Sequence, residues 1–286
     1  MIILVIIIIL FAWFVLFMKS KIHLFEPFQN LNNLLVNSKH FNNYIRNIHP
    51  LMYKVKIKNF NNTNFLKTYI DHLRVPNQNE LNILNRHIIK CNKILKKNNL
   101  YKLLKLPWLF LVSKRGLEMN MPYTLSNYIV INKSTLENLN AFRQINANFI
   151  NTLIHEKIHI FQRINQAKFN SFYKRNYTFI VKKINIREVP LQYKKMYMSN
   201  PDSNSDFWLY KINNKIYYPI LVKNGPFVKS IGINRQGRVD LAFFKKKLGY
   251  KNHISFYHPN EIFACEVTDM ILDYNIKKPH YKLLNN

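Results

Sequence analysis

Apolar residues recur at every third or fourth position in three stretches of the chain, a spacing typical of one buried face of an α-helix. Residues 149–164 carry the most regular of these stripes, and the segment after Pro259 carries another. In residues 79–97 the stripe consists of Leu81, Leu84, Ile88, Cys91 and Leu95. We therefore predict three main helices, with Asn146 or Asn148 as the N-cap of the central one.

Shorter runs of β-branched and aromatic residues predict strands in the middle of the chain. Residues 108–113 and 128–132 are two such runs, and turn signals between residues 116 and 122 separate them. Residues 171–250 are basic and aromatic and contain strand-like pieces such as KIYYPILV. The middle of the chain is therefore expected to form a small β-sheet.

The first eighteen residues, MIILVIIIILFAWFVLFM, are all apolar, and Lys19 and Lys21 follow them. A helix of that length extends about 27 Å, close to the thickness of a bilayer core. A cleaved signal peptide is the weaker alternative, because the run lacks a basic start and a small-residue cleavage site. We predict a transmembrane anchor over residues 1–19, followed by a helical basic region over residues 20–100. The lysines after the anchor favour a single-pass membrane protein with its catalytic domain in the cytosol.

The charge of the chain favours anionic partners. The 286 residues include 43 Lys and Arg against 14 Asp and Glu, which gives a formal net charge of +29. Anionic lipid and nucleic acid are the corresponding partner classes. The lysines are spread along the whole chain, so the codon bias of an AT-rich genome explains the charge about as well. The two cysteines are too few for a disulfide framework and favour a reducing compartment.

The segment NTLIHEKIHIF, residues 151–161, places two histidines four positions apart in the predicted central helix. His155 and His159 would then lie one turn apart on the same side, where both can bind one Zn²⁺. Glu156 would lie beside them, where a carboxylate can act as a general base toward water. The alternative is a helix with two surface histidines, but the apolar flanks of the motif favour burial. We expect a zinc site with Glu156 as the catalytic base.

A catalytic zinc site needs a third protein ligand. Carboxylates are scarce, with eight Glu in the chain, and two of them, Glu261 and Glu266, lie close together in YHPNEIFACEVTDM. About 140° separates these two around a helix, so both are not expected to bind one metal ion. Further candidates are Asp269, Asp273 and His258.

Together, LIHEKIHIFQR and HPNEIFACE resemble the gluzincin metallopeptidases, and they are also similar to HExxH proteins of large DNA viruses. The resemblance implies that His155, His159 and Glu261 are the zinc ligands. It places Glu266 in a supporting position around the ligands. In such proteins the residue that orients a ligand histidine often stands directly after the alanine. Here Cys265 occupies that position and Glu266 follows it, so the sequence departs from the family pattern at this point.

The resemblance also implies an α+β fold. Residues 101–286 would form a zincin-like metallopeptidase domain, with an insertion at about residues 171–250, behind the transmembrane helix. A small twisted sheet with an edge strand would lie over the HExxH helix, and the C-terminal part would be mostly helical. MPYTLSNYIVI resembles the edge strand that pairs with an extended substrate. The corresponding substrate contacts are Tyr128, Ile129 and Val130, although an ordinary core strand is an equal alternative.

Peptide hydrolysis also needs a hydrogen-bond donor for the oxyanion that develops on the scissile carbonyl. Tyr257, four residues before Glu261, is the first candidate for this catalytic role. Tyr250 and His253 are the next candidates.

The sequence thus predicts a membrane-anchored zinc endopeptidase, a hydrolase acting on peptide or protein substrates. A non-enzymatic basic membrane protein that tethers nucleic acid or a virion component to a bilayer is the alternative, supported by the charge and the anchor. It leaves the coincidence of the two motifs unexplained. A degenerate peptidase with a structural zinc is a third possibility, but the intact Glu156 speaks against it.

Overall fold

The computed structural model describes residue 35 and residues 37–61, 63–142, 144–203, 206–224 and 227–285. Within these residues, twelve α-helices and nine strands form a mixed α/β architecture with two sheets. The strands are β1 (Leu73–Arg74), β2 (Leu109–Ser113), β3 (Tyr123–Leu125), β4 (Tyr128–Asn132), β5 (Ile180–Asn185), β6 (Asp206–Ile212), β7 (Lys215–Asn224), β8 (Phe227–Asn234) and β9 (Gly237–Asp240). The first six helices are α1 (Lys39–Asn47), α2 (Tyr53–Lys56), α3 (Phe65–Asp71), α4 (Gln78–Lys97), α5 (Tyr101–Lys105) and α6 (Lys133–Phe142). The other six are α7 (Ala147–Ile164), α8 (Gln166–Asn176), α9 (Leu191–Lys194), α10 (Leu241–Lys247), α11 (Pro259–Leu272) and α12 (Lys278–Asn285).

The first sheet has the strand order β1-β2-β4-β3 and is covered by helices on both faces. β2 and β4 are parallel, whereas β1 and β3 pair antiparallel at the two ends. Successive side chains of a strand point to opposite faces. Accordingly, Ile129 and Ile131 join the core formed with α4 and α7, while Tyr128 and Val130 join the core formed with α1 and α3. A strand that is buried on both faces reads as the continuous apolar run seen in β4.

Helix α7 forms because an apolar stripe and an N-cap coincide. The Asn146 side chain accepts a hydrogen bond from the Phe149 N–H at 3.0 Å, which satisfies a backbone donor in the first turn. The helix predicted over residues 79–97 is confirmed as α4, which begins one residue earlier at Gln78, and Asn77 and Glu80 form a capping box at its start. Both helices lie in the largest core cluster.

Helix α11 packs closely against α7, and this contact brings HPNEIFACE next to LIHEKIHIFQR. Ala264 is fully buried, and a small side chain there allows the close approach. Pro259 occupies the first helical position, where its missing N–H costs nothing. The cap of this helix is His258, whose Nδ1 accepts a hydrogen bond from the Asn260 N–H at 3.1 Å.

The second sheet has the sequential order β5-β6-β7-β8-β9, and all its pairs are antiparallel. Asn213 and Asn214 form the two-residue turn between β6 and β7 with φ of 48° and 61°. Asparagine tolerates this left-handed conformation, which suits the twist of a tight hairpin. The strands of this sheet all lie within residues 171–250, between Ile180 and Asp240.

The predicted fold is wrong for the second half of the chain. A single small sheet and a mostly helical C-terminal part were expected, whereas β5 to β9 form a five-stranded sheet. The expectation came from two short helical motifs, and these carry no information about the residues between them. The predicted transmembrane helix of residues 1–19 lies outside the described residues. None of the helices within the described part is both long and apolar enough to cross a membrane.

Candidate metal centre

Three side chains from two helices converge at one point of the structure. His155 and His159 lie one turn apart on α7, and Glu261 lies in the first turn of α11. The Nε2 atoms of the two histidines are 2.9 Å apart, and each lies 3.5 Å from a carboxylate oxygen of Glu261. Ligand atoms of one tetrahedral zinc ion are about 3.4 Å apart, given bonds of about 2.0–2.1 Å. The cluster therefore has the dimensions of a metal centre.

The donor set and its surroundings fit Zn²⁺. Two imidazole nitrogens and one carboxylate oxygen are characteristic ligands of a catalytic zinc site, which leaves one position for water or substrate. The neighbouring Glu156 is 4% exposed, and its Oε2 has no hydrogen-bond partner within the described residues. A buried carboxylate oxygen of this kind is free to accept a hydrogen bond from a water molecule or a substrate.

The three ligand side chains hold one another in their charged forms. Burial raises the pKa of Glu261, but His159 and His155 outweigh it and hold that pKa well below its usual value. Burial lowers the pKa of His155, but Cys265 and Glu261 outweigh it and raise that pKa well above its usual value. Burial also lowers the pKa of His159, yet Glu261 raises it overall. Zinc would displace protons from these imidazoles, so binding is expected to weaken at low pH.

The pKa of Glu156 shifts in the opposite direction from that of Glu261. Burial, with a further contribution from Asp202, raises its pKa to about 8. A cation bound by the neighbouring histidines would favour the ionised form and lower this pKa again. The carboxylate is therefore poised to become a base when the centre carries positive charge.

Gln162 orients the candidate ligand His159, and the sequence predictions did not include this residue. Its Oε1 accepts a hydrogen bond from His159 Nδ1 at 2.7 Å, which leaves the Nε2 lone pair for a metal ion. Its amide nitrogen donates to Tyr173 Oη at 3.0 Å and to the Asn260 carbonyl at 2.9 Å, so the amide orientation is set on both sides. The sequence could have indicated this contact, because Gln162 follows His159 by three residues and lies on the same face of the helix.

The second helix and the inserted region position the carboxylate of Glu261. Asn200 donates from Nδ2 to Glu261 Oε1 at 2.9 Å and also contacts the Tyr257 hydroxyl. Tyr257 is buried, and its hydroxyl donates to the same oxygen of Glu261 at 3.3 Å. The structure thus places Tyr257 at the ligand cluster, as a catalytic tyrosine would need to be. Asn200 lies far from both motifs along the chain, and nothing in its local sequence marked it.

Asp202 closes the edge of the first sheet beside the cluster. Its Oδ1 accepts hydrogen bonds from the Thr124 N–H at 2.7 Å and from the Thr124 hydroxyl at 2.5 Å. Ligand atoms of Asp202, Glu156 and His159 also lie within 4.8 Å of one another. Of the two groups, His155, His159 and Glu261 match the ligands predicted from the sequence and leave Glu156 free for its predicted role as a base.

This arrangement corrects the predicted substrate strand. β4 pairs with β2 on one side and with β3 on the other, so Tyr128, Ile129 and Val130 have no free strand edge. The outer strand is β3, and Asp202 already occupies its Thr124 N–H. A substrate therefore has no route to pair with β4.

Three other predicted residues lie away from the ligand atoms. Glu266 accepts a hydrogen bond from Tyr177 Oη at 2.7 Å and is not part of the cluster. Tyr250 packs on Phe256, with ring centroids 5.0 Å apart. His253 is half-exposed and lies 3.1 Å from an oxygen of Asp269 at the entrance of the cleft.

The metal centre opens into a cleft with two lobes that meet at His155 and Glu156. The open lobe is a cavity of about 340 Å³ lined by Asn151, Thr152, His253, Thr268 and Asp269. The closed lobe is a cavity of about 200 Å³ lined by Lys56, Glu118, Tyr123, Met198, Leu221 and Tyr257. All six of these closed-lobe side chains are buried. The cleft can therefore admit a ligand from its open lobe and bind part of it in the other lobe, which is the less open of the two.

Comparison with known proteins identifies no relative of this chain. No protein-family model, no curated protein and no solved structure matches it. The gluzincin resemblance consequently rests on the two motifs around His155 and Glu261, and the activity it implies stays a prediction.

Proposed function

We propose that the chain is a zinc-dependent peptidase that hydrolyses peptide bonds in its two-lobed cleft. The observation that carries this proposal is the convergence of His155, His159 and Glu261 within 3.5 Å of one another, with the free Glu156 oxygen beside them. A structural ion-pair cluster would not need a buried carboxylate oxygen without a partner at the junction of two cavities.

Zinc bound at this centre would polarise the scissile carbonyl and lower the pKa of a bound water toward about 7. His155, His159 and Glu261 would hold it, and Gln162 would keep His159 in the tautomer that leaves Nε2 free. The hydrogen bond from His159 Nδ1 to Gln162 matters because a histidine that rotates or changes tautomer no longer presents the Nε2 lone pair to the metal.

Glu156 is the proposed general base and then general acid. Its free Oε2 can accept a proton from the attacking water and deliver it to the leaving amine. Tyr257 is the proposed donor to the oxyanion, since its hydroxyl already lies 3.3 Å from Glu261 at the ligand cluster. Burial raises the pKa of Tyr257 well above its usual value, so the hydroxyl keeps its proton and can donate.

The test is cleavage of a mixture of synthetic peptides by the zinc-loaded protein, with products identified by mass spectrometry. The Glu156→Gln variant should retain the fold and zinc but lose at least about 10²-fold in activity, as expected for a lost acid–base group. The matched control is Glu137→Gln, which changes an exposed glutamate and should cleave like wild type. Equal cleavage by wild type and Glu156→Gln would refute the proposal.

A further inference from the structure

The closed lobe ends at a buried ion pair that the proposed catalytic steps do not use. Lys56 Nζ lies 2.6 Å from Glu118 Oε2, and the two residues are 2% and 4% exposed. Lys56 also donates to the Ser199 carbonyl. The other oxygen of Glu118 accepts hydrogen bonds from Tyr69 Oη, at 3.0 Å, and from Tyr44 Oη. Each charge is thus compensated within the protein, and the floor of the lobe is polar but neutral overall.

The backbone that carries Glu118 is held in an unfavourable conformation. Glu118, Met119 and Asn120 have φ of 48°, 57° and 63°, a left-handed run that L-residues other than glycine avoid. The run is maintained by Asn120, whose Oδ1 accepts hydrogen bonds from the Gly116 N–H at 2.6 Å and from Asn132 Nδ2 at 3.0 Å. Such strain persists where surrounding contacts enforce it, and it concentrates at functional positions.

Apolar side chains form part of the walls of the lobe, and the size of the lobe suits one side chain. Tyr123, Met198 and Leu221 are 2%, 2% and 5% exposed and face the same cavity. Its volume of about 200 Å³ equals that of roughly seven water molecules at about 30 Å³ each. Because His155 and Glu156 line the same cavity, an occupant of the lobe would belong to the substrate residue beside the scissile bond.

We propose that the closed lobe is a specificity pocket that selects an uncharged substrate side chain with a polar tip, such as glutamine or tyrosine. The proposal rests on the peptidase function proposed above. A charged tip would reach a pair whose charges are already compensated, and it would remain unpaired in a buried site. An amide or a hydroxyl both donates and accepts, so it can hydrogen-bond to the Lys56–Glu118 pair while its stem contacts the apolar walls.

The experiment uses the zinc-loaded full chain and peptides of one fixed frame in which the residue on each side of the cleaved bond is varied in turn. Wild type should prefer glutamine or tyrosine over lysine and glutamate by about tenfold or more at one of these positions. Lys56→Met leaves Glu118 uncompensated and should move the preference to lysine and arginine. Glu118→Gln leaves Lys56 uncompensated and should move it to aspartate and glutamate. The Glu137→Gln control should keep the wild-type preference.

A further variant keeps the proposal testable if breaking a buried ion pair prevents folding. Val228 also lines the lobe and is only partly buried. Val228→Phe should narrow the pocket without changing its charge, and so move the preference to glycine and alanine. Cleavage without selection by wild type, or a wild-type preference in the folded variants, would overturn this proposal alone. Absence of any Glu156-dependent cleavage would overturn both this proposal and the peptidase function.

Discussion

Replacement of Gln162 by leucine should weaken zinc binding while leaving all three metal ligands in place. Gln162 is 1% exposed, and its Oε1 is the acceptor that fixes His159 Nδ1 at 2.7 Å. Loss of such a supporting contact typically costs 10- to 100-fold in metal affinity, which corresponds to about 1.4–2.7 kcal/mol. Without the acceptor, the imidazole can adopt the other tautomer and present a protonated Nε2 to the metal.

The same substitution should also lower the stability of the protein. The Tyr173 hydroxyl and the Asn260 carbonyl would lose the Gln162 amide, and each unsatisfied buried group costs about 1–3 kcal/mol. Leucine is close in size to glutamine, so no large cavity adds to this cost. The total lies within the stability of an ordinary domain, about 5–15 kcal/mol, so the variant should still fold.

The assay is competition for zinc against a chromophoric chelator at constant pH, combined with a denaturant titration. Gln78→Leu is the matched control, because Gln78 is exposed and its side chain donates a hydrogen bond to Asn82 Oδ1 at 3.2 Å within α4. It should bind zinc as wild type does. A folded Gln162→Leu protein with wild-type zinc affinity would refute the role assigned to Gln162.

Three further predictions concern the tyrosine, the base and the sheet edge. Tyr257→Phe should lower kcat by about 10²–10³-fold with little change in KM, as measured by steady-state kinetics on protein whose zinc content is checked by elemental analysis. The pKa of Glu156 is raised to about 8 in the folded protein, so the metal-free protein should lose stability as pH rises from about 4.5 through about 8, where only the unfolded chain has released this proton. Thermal unfolding should show this loss of stability, and Glu156→Gln should make it smaller. Asp202→Ala removes the acceptor for the Thr124 N–H and should lower the free energy of unfolding by about 1–3 kcal/mol in urea titrations, whereas an unchanged value would show that water replaces Asp202 there.

The sequence predicted the helices of the site better than the sheets around it. The stripe and cap of α7 are local features, and they place His155, Glu156 and His159 on one side of a helix without reference to the rest of the chain. Glu261 was identifiable because carboxylates are scarce in this chain and it begins a second helix. Predictions of this kind need only helical geometry, which is determined by residues a few positions apart.

The features that the sequence did not reveal depend on contacts between distant segments. The interior position of β4 depends on its parallel pairing with β2, although its continuous apolar run is the pattern of a strand buried on both faces. Asn200 and Asp202 reach the site only because the inserted region folds back against α11 and β3. Nothing in the sequence around these two residues specifies that contact.

The most direct test of the central claim is the zinc content of the purified full chain, determined by elemental analysis together with His155→Ala, Glu261→Gln and the control Glu137→Gln. A catalytic centre of this ligand set predicts about one zinc per chain in wild type and the control. Zinc should be lost in His155→Ala and weakened in Glu261→Gln. Folded wild-type protein without zinc affinity, or full zinc content in His155→Ala, would contradict the assignment of the metal centre.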